Sequence, residues 1–226
     1  MKILVCAAHP DDEVLGCGGT MARLVEEGNE VYIAILGEGI TSRYDDREKV
    51  DSSLIDALHT RSQQVGKLIG AKEVFNYRLP DNQFDSVPLI EIVKIIENLI
   101  ERLKPEVVYT QHGGDLNIDH NLVYRATLTA TRPLAGCVVR EVLAYEVASS
   151  TEWAFQQFEP AFRPNVFVDI SRTIETKIRG MEIYESEARA FPHPRSPEAL
   201  RAIARRWGSV VGADYAEAFS LVRLLK

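Results

Sequence analysis

Continuous apolar runs alternate along the chain with stretches in which hydrophobic residues recur every three or four positions. A continuous run predicts a strand buried on both faces of a sheet, and the three-to-four-residue period predicts an amphipathic helix. The predicted strands are Ile3–Ala7, Glu30–Leu36, Glu73–Asn76, Val107–Thr110, Val142–Glu146 and Val166–Asp169. The predicted helices are Gly16–Glu27, Arg47–Ile69, Pro88–Leu103, His120–Thr131, Ser171–Arg189 and Pro197–Trp207. This alternation predicts an α/β fold with a Rossmann-like, mainly parallel sheet and helices on both faces.

Length and composition indicate an ordinary globular protein. The 226 residues fit a single domain over 1–226, with 46% hydrophobic and 26% charged residues and no repeat. A net charge of −7 argues against nucleic-acid or anionic-membrane partners, because both require an excess of Lys and Arg on one face. The short first apolar run forms neither a signal peptide nor a membrane span, so a cytoplasmic location is expected. The three cysteines form no CxxC pair and are expected to be reduced packing residues.

Polar clusters follow two of the predicted strands. "HPDDE", residues 9–13, comes after the first strand, and "QHGGDLNIDH", residues 111–120, comes after the fourth. Ligands of open parallel sheets bind beyond the carboxyl ends of the strands. If the first and fourth strands are neighbours, as in a Rossmann-like order, the two clusters face each other across one crevice.

The two clusters contain residues of the kind that hold a catalytic metal. His9 and Asp12 lie three residues apart on a Pro-containing turn, and His120 begins a predicted helix after the second cluster. Two imidazoles and one carboxylate are typical of catalytic zinc, because they leave positions open for water and substrate. His59 lies in the middle of a predicted helix and is interpreted as a surface or partly buried helix residue.

Two other interpretations compete for the first cluster. Its acids could simply begin a helix and complement the positive end of the helix dipole. "GCGG", residues 16–19, could instead be a dinucleotide-binding loop. That motif requires G-x-G-x-x-G at the end of the strand, whereas here the strand ends in His and acids and the glycine spacing differs. The glycines are expected to permit close packing of the helix on the sheet.

The motifs "AHPDDE", residues 8–13, and "DLNIDH", residues 115–120, resemble those of the PIG-L/LmbE family of zinc-dependent N-acetylglucosaminyl de-N-acetylases. The C-terminal segment "HPRSPEALRAIARRWGSVVGADYAEAFSLVR" resembles a bacterial branch of that family. The resemblance implies an N-deacetylase of linear amides, not peptide bonds, that acts on a small N-acetylated sugar or sugar-containing metabolite. It also implies a homo-oligomer.

By position, the resemblance makes His9, Asp12 and His120 the ligands of one Zn²⁺ per chain, with another divalent ion such as iron as the alternative. It makes Asp11 the general base for attack by a zinc-bound water. Zinc lowers the pKa of bound water toward about 7, and an uncoordinated carboxylate nearby can accept the remaining proton. Asp11 could return that proton to the leaving amine.

One position departs from the family pattern. Many members carry a histidine three residues before the last metal ligand, whereas this chain has Asn117. An amide can donate a hydrogen bond to an oxyanion but cannot transfer a proton, so the general acid is open. His193 and His112 are candidates to compensate, and either could equally be an ordinary loop residue. Asp119 is expected to orient a neighbouring histidine or amide, with helix capping as the alternative.

Residues after the second and third strands and in the C-terminal loops are candidates for substrate binding. They are Arg43, Asp81, Asn82, His112, Trp153 and Arg195. Sugar hydroxyls are bound by carboxylates, amides and arginines, and aromatic rings stack on a sugar face. Each of these residues could equally be solvated or packed.

Two other functions are compatible with the same sequence features. A metal phosphoesterase also uses His and Asp clusters, but it needs a second metal, for which the chain offers few further ligands. A non-catalytic sugar- or nucleotide-binding module could share the fold. Asp11 argues against that module, because binding alone requires no uncoordinated base.

Overall fold

The computed structural model describes residues 1–226 apart from the side chain of Glu48. Its strands are β1 (Lys2–Ala7), β2 (Glu30–Gly37), β3 (Glu73–Leu79), β4 (Val107–Gln111), β5 (Glu141–Tyr145), β6 (Val166–Asp169) and β7 (Ala216–Leu224). Its α-helices are α1 (Asp12–Glu26), α2 (Ser52–Ile69), α3 (Leu89–Leu103), α4 (Ile118–Ala130), α5 (Ile174–Ile183) and α6 (Pro197–Val211). One seven-stranded sheet has the order β3-β2-β1-β4-β5-β7-β6. The α/β, mainly parallel fold is thereby confirmed.

The strand order places β1 beside β4. Ile3 of β1 pairs with Val107 of β4 in parallel, and the other edge of β1 pairs with β2. The chain therefore runs outward in opposite directions from these two central strands, which opens a crevice beyond their carboxyl ends. This is the adjacency on which the predicted meeting of the two polar clusters depends.

Alternate residues of β1 pack into two separate hydrophobic cores, one on each face of the sheet. Ile3 and Val5 pack with α1, α2, α5 and α6 on one face, and Leu4 and Cys6 pack with α3 and α4 on the other. All four side chains are at most 1% exposed. A strand buried on both faces has no solvent side, which is why its sequence is continuously apolar rather than alternating.

The C-terminal third differs from the sequence prediction. β7 was not predicted; it lies antiparallel between β5 and β6, and without it β6 would not join the sheet. The predicted helix Ser171–Arg189 was too long, since α5 spans only Ile174–Ile183. The chain leaves the helix at Tyr184, whose buried hydroxyl donates to Glu13 Oε1 at 2.7 Å. A tertiary contact thus overrides the local helical pattern there.

Other helix boundaries shift for local reasons. α2 begins at Ser52 rather than at residue 47, because Asp51 caps it by accepting from the Ser53 amide at 2.9 Å. Residues Arg47–Lys49 form a separate 3₁₀ turn. α6 continues to Val211 and ends at Gly212, whose φ of 74° is the left-handed conformation that glycine adopts readily.

Helix α1 is interrupted in the middle of the "GCGG" stretch. Cys17 has non-helical backbone angles (φ −145°, ψ 24°). The helix resumes after Cys17, and a carboxylate from β7 accepts hydrogen bonds from the first amides of this second part. Glu217 accepts from the amides of Gly19 and Thr20 at 3.1 and 2.7 Å, and Lys177 neutralises it at 2.5 Å. Amides that a dinucleotide phosphate would use are therefore already bound by a protein carboxylate, which is consistent with a packing role for the glycines.

Gly16 is required by close packing. A Cβ at this position would lie 2.1 Å from Cδ2 of Tyr145, a fully buried ring whose hydroxyl donates to Cys6 O at 2.7 Å. The ring cannot move aside without breaking that bond.

We expect Gly16→Ala to lower the free energy of unfolding by about 1–3 kcal/mol, the usual effect of overpacking a core. Urea unfolding measures this change. Gly18→Ala is the matched control: its Cβ would lie 3.3 Å from the Val14 Cγ1 methyl, and helical alanine is favoured over glycine by up to about 1 kcal/mol. Equal stability of the two variants would contradict the packing argument.

Candidate metal centre and its pocket

The loops that follow β1 and β4 meet at a polar cavity of about 170 Å³. Segments after β2, β3, β5 and α5 complete its walls, so it draws on most of the carboxyl-end edge of the sheet. Its polar lining consists of His9, Asp11, Ser42, Arg43, Asp81, Asn82, Asn117, His120, Ser149, Ser150, Glu187 and Arg195. The two predicted polar clusters are thereby brought together.

The turn between β1 and α1 separates two neighbouring carboxylates. Asp11 precedes the helix with φ 111°, a backbone conformation that non-glycine residues rarely adopt. Asp12 then begins the helix, and its Oδ2 accepts from the His9 amide at 2.8 Å and from Gln111 Nε2 at 3.0 Å. The acids do lie at the start of α1, but neither Asp11 nor Asp12 caps the helix with its carboxylate. The helix-dipole interpretation therefore explains where the acids lie but not the contacts that they make.

His9, Asp12 and His120 form a group able to hold a metal ion. Their ligand atoms all lie within 4.8 Å of one another. Oδ2 of Asp12 is 3.5 Å from His9 Nδ1 and 3.3 Å from His120 Nε2. The predicted ligand set is therefore brought together by the fold, although its three members come from opposite sides of the β1/β4 crevice.

A carboxylate lies behind each of the two histidines. Asp119 Oδ2 is 2.9 Å from His9 Nε2, and its other oxygen accepts from the Phe84 amide at 2.9 Å. Asp115 Oδ1 is 3.2 Å from His120 Nδ1. Such partners fix the ring orientation and tautomer of metal-binding histidines. They leave Nδ1 of His9 and Nε2 of His120 facing Asp12.

The charges of this group compensate one another. Burial alone lowers the pKa of His120, but Asp12 and Asp115 together raise it to about 9. Burial raises the pKa of Asp12, but the two histidines hold it well below its usual value. The buried carboxylates therefore stabilise positive charge among them, which a divalent cation supplies as well as protons do.

A second acidic group shares His9 with the first. Asp81 Oδ1 is 3.4 Å from His9 Nε2, next to Asp119. Asp81 also accepts from the Ser42 amide at 3.0 Å and from Asn82 Nδ2 at 3.0 Å. The two groups together offer five different side chains and share His9. Both carboxylates of the second group already bind backbone amides, as Asp12 does in the first.

Asp11 lines the same cavity, and its carboxylate is bound by an arginine rather than by the ligand group. Arg195 donates to its Oδ2 at 2.7 Å and, through Nε, to Ser149 Oγ at 2.7 Å. Glu187 lies 3.2 Å from Arg195 and also pairs with Arg43. Burial raises the pKa of Asp11 well above its usual value, and Arg195 opposes that shift. The two predicted substrate-binding arginines thus form a chain of ion pairs that ends at Asp11.

Asn117 lines the cavity and caps α4. Its Oδ1 accepts from the Asp119 amide at 2.9 Å, so Asn117 rather than Asp119 performs the capping role. Its Nδ2 donates to Asn82 Oδ1 at 2.9 Å at the cavity rim. The amide NH₂ group therefore faces the same rim as Asn82.

Three other predicted residues lie outside the cavity wall. His112 Nε2 is 2.6 Å from Pro160 O, and its ring packs edge-on against Phe162. His193 packs edge-on against Trp153 with ring centroids 5.5 Å apart, and its Nδ1 accepts from the Arg195 amide at 3.1 Å. These contacts place all three side chains in the loops around the pocket.

Sequence reasoning missed several residues that support the site. Ser150 and Thr151 both donate to Asp115, Thr151 at 2.6 Å. Asp115 carried a signal, since it opens the "DLNIDH" motif, and so did Gln111, which directly follows the predicted strand Val107–Thr110. Glu187 carried no signal, because it lies inside a stretch that the sequence pattern predicts to be helical.

Among the described helices, none combines the length and apolar character needed to cross a membrane.

Comparison with known proteins identifies chains that are similar to this one in sequence and in fold. YaiS of Escherichia coli K12, named an uncharacterized deacetylase, is 27% identical over 190 residues, covering 81% of this chain and 90% of YaiS. The N,N'-diacetylchitobiose deacetylase structure of Pyrococcus horikoshii shares the fold with a TM-score of 0.78 and 20% identity, covering 98% of this chain and 84% of that one.

The fold alone does not determine the reaction. GalB, the 4-carboxy-2-hydroxymuconate hydratase of Pseudomonas putida KT2440, superposes with a TM-score of 0.77 and 20% identity, covering 100% of this chain and 98% of its own. The sequence itself decides the family: residues 4–131 match the family described as PIG-L, GlcNAc-PI de-N-acetylase. This range runs from within β1 to the end of α4 and includes all three candidate ligands. The chain belongs to the PIG-L family of deacetylases.

Proposed function

We propose that this protein is a zinc-dependent N-deacetylase that removes acetyl from an N-acetylated sugar or sugar-containing metabolite. One observation carries the proposal: an uncoordinated carboxylate, Asp11, stands beside the His9, Asp12 and His120 group at the base of a polar pocket. Members of the same family act on acetamido sugars by name, as in the family description and in the Pyrococcus enzyme.

The donor set fits zinc. Two imidazole nitrogens and one carboxylate, each imidazole backed by a further carboxylate, are the ligands that catalytic zinc prefers. Ferrous iron is the alternative, since it accepts the same donors. When bound there, the ion supplies Lewis acidity: it lowers the pKa of a water toward about 7 and polarises the acetyl carbonyl.

Asp11 accepts the proton of the attacking water in this proposal. Arg195, 2.7 Å away, stabilises the ionised carboxylate against burial and fixes its orientation. The same carboxyl group then returns the proton to the leaving amine. His193 is less suited to that role, because its ring packs on Trp153 outside the cavity.

Asn117 is the proposed hydrogen-bond donor to the oxyanion. It lines the cavity within the same segment as His120, and its NH₂ group is directed to the rim where Asn82 accepts it. A substrate carbonyl that displaces Asn82 would receive this donor.

The pocket favours a small, uncharged sugar. Its volume of about 170 Å³ lies below the roughly 300–1,000 Å³ typical of drug-sized ligands. Both arginines in its wall are already paired, Arg195 with Asp11 and Arg43 with Glu187. A phosphorylated substrate would have to compete with these carboxylates, whereas hydroxyls can bind to Asp81 and its neighbours.

The direct test is a screen of N-acetylated sugars, nucleotide sugars and glycosides with zinc-loaded protein, with released amine and acetate measured together. Equal amounts of both products are expected for at least one acetamido sugar. A phosphoesterase would instead release phosphate from the nucleotide sugars, and absence of amine release from every compound would overturn the proposal.

His120→Ala is expected to remove the metal. The purified wild-type chain should hold about one zinc, because three ligands define one site. Elemental analysis of the variant should show loss of most of that zinc. His59→Ala is the control, since His59 lies half-buried on α2 away from the cavity. Full occupancy in His120→Ala would exclude His120 as a ligand.

Asp11→Asn is expected to retain zinc and lose turnover by about 10²–10⁴-fold, the usual contribution of a general base. The amide keeps the shape of the side chain but cannot accept the proton. Asp85→Asn, at an exposed position, should keep wild-type kcat. Turnover of Asp11→Asn within a few fold of wild type would assign the base to another group.

Asn117→Asp separates capping from catalysis. The carboxylate still caps α4, so the melting temperature should stay near that of wild type. It has no NH₂ to donate, so kcat should fall by about 10²–10³-fold, as when one oxyanion donor is removed. If kcat is unchanged, the oxyanion is stabilised elsewhere.

A further inference from the structure

Three consecutive hydroxyl side chains, Ser149, Ser150 and Thr151, follow β5 and have no part in the mechanism above. Each is at most 8% exposed. Because β5 pairs with β4 in parallel, the segment after β5 lies beside the segment after β4, which carries Asp115 and His120. In the sheet, β5 and β1 lie on opposite sides of β4. The hydroxyls therefore reach the candidate metal centre from the side opposite to the β1 turn.

Two of the hydroxyls bind the carboxylate that lies behind His120. Ser150 Oγ donates to Asp115 Oδ1, and Thr151 Oγ1 donates to Asp115 Oδ2 at 2.6 Å. The direction of both bonds is fixed, because an ionised carboxylate only accepts hydrogen bonds. The Val147 amide donates to Thr151 Oγ1 at 2.8 Å, so the acceptor side of this hydroxyl is occupied and its proton is committed to Asp115.

These contacts hold the Asp115 side chain at both of its oxygens. Oδ1 also accepts from the Asn117 amide at 2.9 Å and lies 3.2 Å from His120 Nδ1. A carboxylate that is bound at both oxygens cannot rotate without breaking hydrogen bonds. The orientation of the His120 ring, whose Nε2 lies 3.3 Å from Asp12, therefore depends on donors from the segment after β5.

Ser149 binds the other half of the site. Its Oγ accepts from Arg195 Nε at 2.7 Å, and Arg195 donates in turn to Asp11 Oδ2 at 2.7 Å. Ser149 also has φ 71°, a conformation that is rare for non-glycine residues and that clusters at functional sites. Its amide donates to Glu152 Oε1 at 2.6 Å, which holds the backbone in this conformation. Two adjacent residues, Ser149 and Ser150, thus bind opposite halves of the site.

We propose that the three hydroxyls are positioning residues for two different parts of the reaction. Ser150 and Thr151 hold Asp115 and thereby set the affinity of the site for zinc. Ser149 holds Arg195 and thereby sets turnover, with no effect on zinc affinity. The part on Ser149 rests on the proposed deacetylase function, whereas the part on Ser150 and Thr151 requires only the metal centre.

Zinc affinity tests the first part. Thr151→Val keeps the shape of the side chain and removes the hydroxyl. We expect the zinc dissociation constant to rise by about 10–100-fold, the usual effect of losing a group that orients a metal ligand. Competition with a chelator of known affinity measures this change. Thr151→Ser retains the hydroxyl and should keep the wild-type affinity.

Thr129→Val is the matched control for this change. The Thr129 hydroxyl donates to a carbonyl of its own helix, Arg125 O, at 2.8 Å, so its loss should leave zinc affinity unchanged. If Thr151→Val fails to fold, Ser150→Ala tests the same contact, because the recorded bond of the Ser150 hydroxyl is to Asp115 alone. Wild-type zinc affinity in a folded Thr151→Val or Ser150→Ala variant would overturn the first part.

A double-mutant cycle shows whether Thr151 acts through Asp115. In Asp115→Ala the Thr151 hydroxyl has lost its acceptor, so the further change Thr151→Val should alter zinc affinity by less than about twofold. A further loss as large as that in the wild-type background would mean that Thr151 acts independently of Asp115, and the proposed route would be wrong.

Turnover tests the second part. Ser149→Ala should keep wild-type zinc affinity and lower kcat by about 10-fold, the effect of losing one hydrogen bond to a charged group. Ser149→Gly removes the same hydroxyl and also suits the left-handed backbone, so an equal loss of kcat in both variants assigns the effect to the hydroxyl. Unchanged kcat in Ser149→Ala, or a loss of zinc affinity as large as that of Thr151→Val, would overturn the second part.

The outcomes distinguish this inference from the proposed function. If the chain binds zinc but deacetylates no acetamido sugar, the proposed function fails and the part on Ser149 fails with it. The zinc affinities of the Thr151 and Ser150 variants then still decide the first part. If deacetylation is observed and all of the variants keep wild-type zinc affinity and kcat, the inference fails and the proposed function stands.

Discussion

Three consecutive buried carboxylates at the end of β1 impose the constraint on which the site depends. Asp11, Asp12 and Glu13 are each at most 2% exposed. A buried charge without a partner is strongly destabilising, so each requires a donor from elsewhere in the chain. Asp11 has Arg195, Asp12 has the two histidines, and Glu13 has Tyr184. Apart from His9, which lies on the same turn, these partners come from α4 and from the segments that follow α5, so the pairing of the carboxylates brings the walls of the pocket together.

The sequence predicted the parts of the site that are local. His9 and Asp12 share one turn, His120 begins one helix, and the continuous apolar runs specify the strands that carry them, so a short window contains the signal. The β1/β4 adjacency also followed from the usual order of such sheets. The site is recognisable because the candidate metal ligands and Asp11 follow the ends of two central strands.

The unpredicted parts depend on contacts between distant segments. The nine residues of β7 join the sheet by pairing with β5 on one side and β6 on the other, and both partners are distant in the sequence. Glu187 lies in a stretch of helical period, and α5 ends before it because the Tyr184 side chain is bound by Glu13. Arg195 looked like a substrate contact because a loop arginine near a sheet edge has no local partner in the sequence. Such residues acquire roles only when the C-terminal third packs against the first turn.

The hydrogen bonds of Glu217 make the completion of α1 depend on the presence of β7 during synthesis. Glu217 lies on β7, almost two hundred residues after α1. Its carboxylate accepts hydrogen bonds from two amides in the part of α1 that follows Cys17, at 3.1 and 2.7 Å. During synthesis from the N-terminus, β1 and α1 emerge first, yet those amides stay without this partner until the last strand exists. Contacts of such high sequence separation are slow to form. A nascent chain that lacks β7 therefore has an incomplete first helix as well as an incomplete sheet.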